Sequence, residues 1–230
     1  MKTIGLIGGM SWESSVEYYK IINQEVKKKL GGVHSCESFM YSFDFAEIEE
    51  LQHAGKWDEL TKLMIGAAKK LETAGAELIL ICTNTMHKMA EDIEANISIP
   101  LVHIADAVSE EIKKSGLKKV GLLGTKFTME QDFYRSRIEK KFNIKVIIPN
   151  DYERQIVHDI IYNELVVGRI IESSKEELKK IIKNLELNGA EGIILGCTEI
   201  PLLIKQENCD IPIFDTTTIH AKAAVVMALK

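Results

Sequence analysis

The chain has little of what several function classes require. It carries no excess of positive charge: 29 Lys and Arg stand against 34 Asp and Glu, a net charge of −5. A nucleic-acid binder normally presents a net basic face, so that partner is not expected. The basic run Lys27–Lys28–Lys29 reads as a solvated helix end, where cations are favoured. No apolar run approaches the roughly 20 residues of a membrane span. The apolar run after Met1-Lys2-Thr3 is too short for a secretory core, so a cytoplasmic protein with no membrane partner is expected. The cysteines are Cys36, Cys82, Cys197 and Cys209, and none forms a CxxC pair. That spacing suggests neither a zinc site nor a thioredoxin-like motif; no metal is expected, and a reducing cytosol would keep the thiols free. Gly5, Gly8 and Gly9 are spaced G-x-x-G-G rather than G-x-G-x-x-G, which argues against a dinucleotide loop. Close backbone approach to a small ligand is the better use for them.

What the chain does have is alternation. Near-continuous apolar runs at 3–9, 37–45, 77–82, 100–106, 119–125, 144–149, 192–197 and 211–215 read as strands buried on both faces, as in parallel sheets. Between them lie stretches such as 15–30, 57–74 and 175–188, whose apolar residues recur three and four apart. Strand and helix in alternation predict an α/β doubly wound architecture.

The chain also repeats itself. "TIGLIGGM" at 3–10 returns as "KVGLLGTK" at 119–126, "GAELILICT" at 75–83 as "GAEGIILGCT" at 189–198, and "IPLVHIADA" at 99–107 as "IPIFDTTTI" at 211–219. Three matches in one order at nearly one offset predict two homologous, pseudo-symmetric halves, each a small mainly parallel sheet flanked by helices. The expected division is 1–99 plus 211–230 for the first half, with a returning C-terminal helix, and 100–210 for the second. The active site is expected in the cleft between them.

The repeat pairs Cys82 with Cys197. Each stands at the carboxyl end of an expected parallel strand, where open α/β sheets bind ligands. Each is followed by Thr and a polar residue: Thr83-Asn84 and Thr198-Glu199. Two acid/base groups on opposite faces of one carbon are what inversion of a stereocentre needs. A thiol has an ordinary pKa of about 8.5, so both of its protonation states are accessible near neutral pH. Helices starting just after the strands would lower that pKa further and bind carboxylates. No cofactor is required. Donors for a carboxylate are expected from Gly9, Met10, Thr83, Asn84, Thr85, Thr125 and Thr198. Glu199 would take a thiol proton or orient an ammonium group.

Here the sequence resembles the aspartate/glutamate racemase family, the cofactor-independent amino-acid racemases. The resemblance rests on "IGLIGGMSWESS" (4–15), "FDFAEIEELQ" (43–52), "AGAELILICTNTMHK" (74–88), "LLGTKFTMEQDFY" (122–134) and "LGCTEIPLL" (195–203). It implies Cys82 and Cys197 as the acid/base pair, an acidic amino acid as substrate, and a homodimer. Glutamate racemases usually continue the second cysteine with Thr-His, whereas Thr198-Glu199 stands here. Segments 37–55 and 163–168, where some aspartate racemases place cations, contain no Arg or Lys. The side-chain carboxylate is left to Gln52 and backbone N–H groups, which fits the broad L-aspartate/glutamate branch and leaves the choice of substrate open.

Other readings compete. A maleate isomerase or arylmalonate decarboxylase would share the fold, but the decarboxylases keep one of the two cysteines. A silent dicarboxylate-binding protein would need the ligand groups and no thiols. Cys36 and Cys209 have no repeat partners and read as structural. His87 and His103 read as core histidines, and Trp12 and Trp57 as packing or dimer contacts.

Overall fold

A computed structural model describes all residues, Met1–Lys230. The chain divides into two compact units, Met1–His103 with His220–Lys230, and Ile104–Ile219.

The first unit is built on a parallel sheet in the order β2-β1-β3, with β1 at Ile4–Gly8, β2 at Ser38–Ser42 and β3 at Leu78–Ile81. Its helices are α1 (Trp12–Leu30), α2 (Phe45–His53), α3 (Trp57–Ala74) and the short α4 (Ala90–Glu94). Helix α1 buries Ser14, Tyr18, Ile22 and Val26, four residues apart on one face, and stops at Gly31 with φ 78° after three lysines. Helix α3 buries Leu60, Met64, Ala67, Ala68 and Leu71 and stops at Gly75, whose left-handed φ of 105° suits glycine. The strand pleat sorts the core. Ile79 and Ile81 join the apolar cluster with α3, while Leu78, Leu80 and Cys82 join Tyr18, Ile22 and the last helix.

The second unit holds a parallel sheet in the order β5-β4-β6-β7: β4 at Lys119–Gly124, β5 at Lys145–Ile147, β6 at Ile193–Gly196 and β7 at Ile213–Asp215. Its helices are α5 (Ile104–Lys114), α6 (Lys126–Glu130), α7 (Asp132–Phe142), α8 (Asp151–Asn163) and α9 (Glu172–Leu187). Helix α10 (Thr216–Ala228) follows β7. Helix α8 begins with a full capping box, Asn150 accepting from Glu153 N and Glu153 from Asn150 N.

Two features differ from the sequence reading. Residues 100–106 do not form a strand: Leu101 makes one parallel bridge to Ile79, and α5 begins at Ile104. Ile104, Ala105, Val108 and Ile112 recur at helical spacing and are buried in the second unit's core, so the helical period prevails. The division also falls later than 99 and 211. Val102 N still bonds Ile79 O in the first sheet, and β7 pairs with β6 in the second. Only from His220 does the chain belong to the first unit again. No helix is long and apolar enough to cross a membrane.

Candidate functional site

In the first unit the carboxyl ends of β1 and β3 lie side by side. Cys82 follows β3 directly, and its N–H donates to Ile7 O at 2.9 Å. The turn after β1 is shaped by glycine. Gly9 has φ 82°, and a Cβ there would lie 2.2 Å from Phe43 O. Its N–H donates to Ser15 Oγ at 2.8 Å, and Ser15 in turn donates to Ser11 O at 2.9 Å. Met10, Thr83, Asn84 and Thr85 are buried around this strand end. Cys82 itself has no exposed surface.

The sequence reading placed an α-helix immediately after each thiol. The structure has a 3-10 turn, Thr85–Met89, after the first and another, Ile200–Leu202, after the second. In the second, Pro201 stands in the first turn, where a missing N–H costs no helical bond. The first turn runs straight into α4, and the second is a single turn. Burial instead pushes the Cys82 thiol well above its ordinary range. The expected lowering of the thiol pKa is therefore reversed.

In the second unit Gly124 pairs with Gly196 at the ends of β4 and β6. A Cβ on Gly124 would lie 2.7 Å from Gly196 O, so glycine lets the strands close up. Thr125 follows β4, and its hydroxyl caps α6 by accepting from Thr128 N at 3.3 Å. Cys197 follows β6 and is 7% exposed. Its Sγ–H donates to Glu199 Oε2 at 3.0 Å, and Thr198 Oγ–H donates to the same oxygen at 2.8 Å. Burial raises the Cys197 thiol well above its ordinary range, and the Glu199 charge and hydrogen bond raise it further. Beside it, Thr216 Oγ–H donates to Leu195 O at 2.8 Å and fixes the start of α10 against β6.

Gln52 is buried in the first unit, and its amide donates to Met86 Sδ at 3.2 Å. The sequence reading missed the packing around the first thiol. His87 Nδ1 lies 2.8 Å from Thr83 O, a contact that the four-residue spacing could have suggested. It missed Ser15 as the support of the Gly9 turn. It also missed Asp215, which accepts from Thr217 N and Thr218 N. The "DTTT" run carries that capping signal. No group of three or more His, Cys, Asp or Glu is placed to hold a metal ion.

The Asp/Glu/hydantoin racemase family model matches residues 7–224, which takes in both strand-end thiols and both glycine turns. The chain belongs to this racemase family. Membership makes it an isomerase. Among solved structures, this racemase-family chain is 42% identical to an aspartate racemase homologue of Pyrococcus horikoshii OT3, covering all of both chains with a TM-score of 0.86. A Yersinia pestis chain described as a candidate Asp/Glu racemase is 54% identical over all of both chains, with a TM-score of 0.93. The broad specificity amino-acid racemase RacX of Bacillus subtilis (strain 168) is 26% identical over 235 residues, 96% of each chain. The fold is also that of the Picrophilus torridus aspartate racemase, at 23% identity and a TM-score of 0.81, covering 99% of this chain and 94% of that one.

Proposed function

We propose that this racemase interconverts the enantiomers of an acidic amino acid, aspartate or glutamate, with Cys82 and Cys197 as an acid/base pair and no cofactor. The observation that carries this reading is the pair of buried thiols, each directly after a parallel strand and each beside a glycine at a strand end. One thiolate removes the α-proton. The other residue, as thiol, gives a proton to the opposite face of the same carbon.

At rest both thiols are neutral, because burial penalises the thiolate. A base is therefore needed, and Glu199 Oε2 already accepts from Cys197 Sγ. Moving that proton to Glu199 leaves the thiolate facing a substrate whose ammonium group brings a compensating positive charge. Thr198 Oγ–H stays on Glu199 throughout. Backbone and hydroxyl donors from Gly9, Met10, Thr83, Asn84, Thr85 and Thr125 receive the α-carboxylate, and Gln52 the side-chain carboxylate. A homodimer would cover the exposed stripe Trp12, Val16 and Tyr19 on α1.

The test is solvent deuterium entering Cα. Cys82→Ser and Cys197→Ser should each abolish racemisation, because each turnover needs both groups. Each variant should still exchange the α-proton of one enantiomer, and the two variants should choose opposite enantiomers. A binding protein exchanges neither. If either variant racemises aspartate or glutamate at the parent rate, the two-thiol reading is wrong.

A further inference from the structure

The two thiols are held by different devices. Cys197 is flanked by Thr198 and Glu199, which bond each other and the sulfur. Counted from the thiol, the first unit has Asn84 in place of Glu199. It also has a cluster of three buried histidines, at 87, 103 and 220, which the acid/base scheme does not use.

The hydrogen bonds of this cluster follow from its acceptors. A carbonyl oxygen only accepts, so His87 donates from Nδ1 to Thr83 O at 2.8 Å. By the same rule His220 donates from Nε2 to Val102 O at 2.7 Å. Nδ1 of the neutral His220 ring then accepts, and Tyr18 donates its hydroxyl to it at 2.8 Å. His220 is thus fixed at both nitrogens. His87 packs edge-on against it with ring centroids 5.6 Å apart, and lies tilted against His103 at 4.7 Å. Val102, the acceptor for His220, is itself bonded through its N–H to Ile79 O in β3.

The effect falls on one peptide segment. The N–H of Cys82 is pinned to Ile7 O, and the carbonyl of the next residue is pinned to His87. Together these bonds fix the backbone on both sides of the thiol, and with it the direction of the Cα–Cβ bond. The imidazole stack keeps the His87 ring from turning away.

We propose that His87 is a positioning residue for Cys82, with Tyr18 and His220 as its support. This rests on the two-thiol reading. Racemisation rates alone cannot test it, because a defect in either thiol slows both directions. Exchange of the α-proton from a single enantiomer can. His87→Ala should slow exchange from the enantiomer that Cys197→Ser still exchanges by about 10- to 100-fold, the scale of a misplaced reacting group. Exchange from the opposite enantiomer should stay within about twofold, and KM for racemisation should change less than kcat. His87→Asn places an amide donor near the Nδ1 position and should restore most of the loss. Tyr18→Phe, which removes only the hydroxyl that bonds His220 Nδ1, should slow the same enantiomer by a smaller factor.

Equal losses from both enantiomers, no loss from either, or a loss that Asn fails to restore would overturn the assignment. Should His87→Ala not fold, the Asn and Phe variants decide by the same split. The Cys82→Ser and Cys197→Ser proteins run alongside. If those two do not choose opposite enantiomers, the two-thiol reading falls and the His87 assignment with it. If they do, and the His87 variants show no split, only the assignment falls.

Discussion

A Cβ added to Gly5 in the first unit would lie 2.7 Å from Ile79 Cδ1 and 3.3 Å from Leu71 Cβ. A Cβ added to Gly121 in the second would lie 2.7 Å from Ile193 Cδ1 and 3.3 Å from Leu185 Cβ. The hydrogen bonds repeat as well. Ile79 N bonds Pro100 O, and Ile193 N bonds Pro212 O. Glu77 accepts from Thr3 N, and Glu191 from Lys118 N and Lys119 N. The two frames therefore agree to the level of single contacts. They part at the strand ends. Gly124 and Gly196 add one pair to the second ladder that the first lacks, and Cys197 stands one residue farther along than Cys82. Beyond that point one thiol has a carboxylate beside it, and the other has the imidazole stack behind its turn. The frame is common property, and the surroundings of the thiols are where the halves differ.

The largest effect is expected from Glu199→Gln. Removing the proton acceptor from Cys197 should slow exchange from the enantiomer that depends on Cys197 by about 100-fold, the lower range of general acid–base contributions. Exchange through Cys82, whose sulfur is not bonded to Glu199, should fall by less. Deuterium incorporation from each pure enantiomer measures both. Equal loss from the two enantiomers would mean that Glu199 serves the substrate and not one thiol.

Next come the paired glycines. Gly5→Ala and Gly121→Ala each force a methyl group against an isoleucine and a leucine in a packed core, at a cost of about 1–3 kcal/mol. Urea denaturation should give similar losses for both. A large cost at one and none at the other would show that the frames differ in how far they can yield.

The smallest expected effect belongs to the first unit alone. Burial lowers His220 to about 4, while an unfolded histidine titrates near 6.5. Between those values the unfolded chain binds the proton and the folded chain does not. The contribution of His220 is whole above pH 6.5 and is lost as pH falls toward 4. From pH 7 to pH 5 the parent should lose about 1–2 kcal/mol more than His220→Gln. Denaturation midpoints at the two pH values check this, and parallel slopes would remove His220 as the cause.

Much of the frame was legible because its signals are local. The apolar period of 57–74 predicts helix α3 with both of its ends, since its face is clean and Gly75 ends it. The shift of the repeat offset from 114 to 115 between Gly75 and Cys82 already carried the extra Gly124–Gly196 pair. Other features depend on contacts distant in sequence. The run 100–106 is apolar throughout, and only the cores that receive it decide between strand and helix. Burial of Cys82 among Tyr18, Val102 and Ala221 decides its acidity, and those neighbours lie up to 139 residues away in sequence. The contact of the Gln52 amide with Met86, 34 residues away, has no local signal either.

The four free thiols also form a series in reagent access. Cys82 has no exposed surface, Cys197 has 7% and Cys36 8%, while Cys209 is only partly buried. Oxidation and alkylation both require a thiolate that can be reached. At the two strand ends neither condition is met at rest, since the sulfurs are covered and neutral. Peroxide or a maleimide would therefore mark Cys209 first and spare the strand-end pair. The cover over the two strand-end sulfurs thus also shields them from slow oxidative ageing.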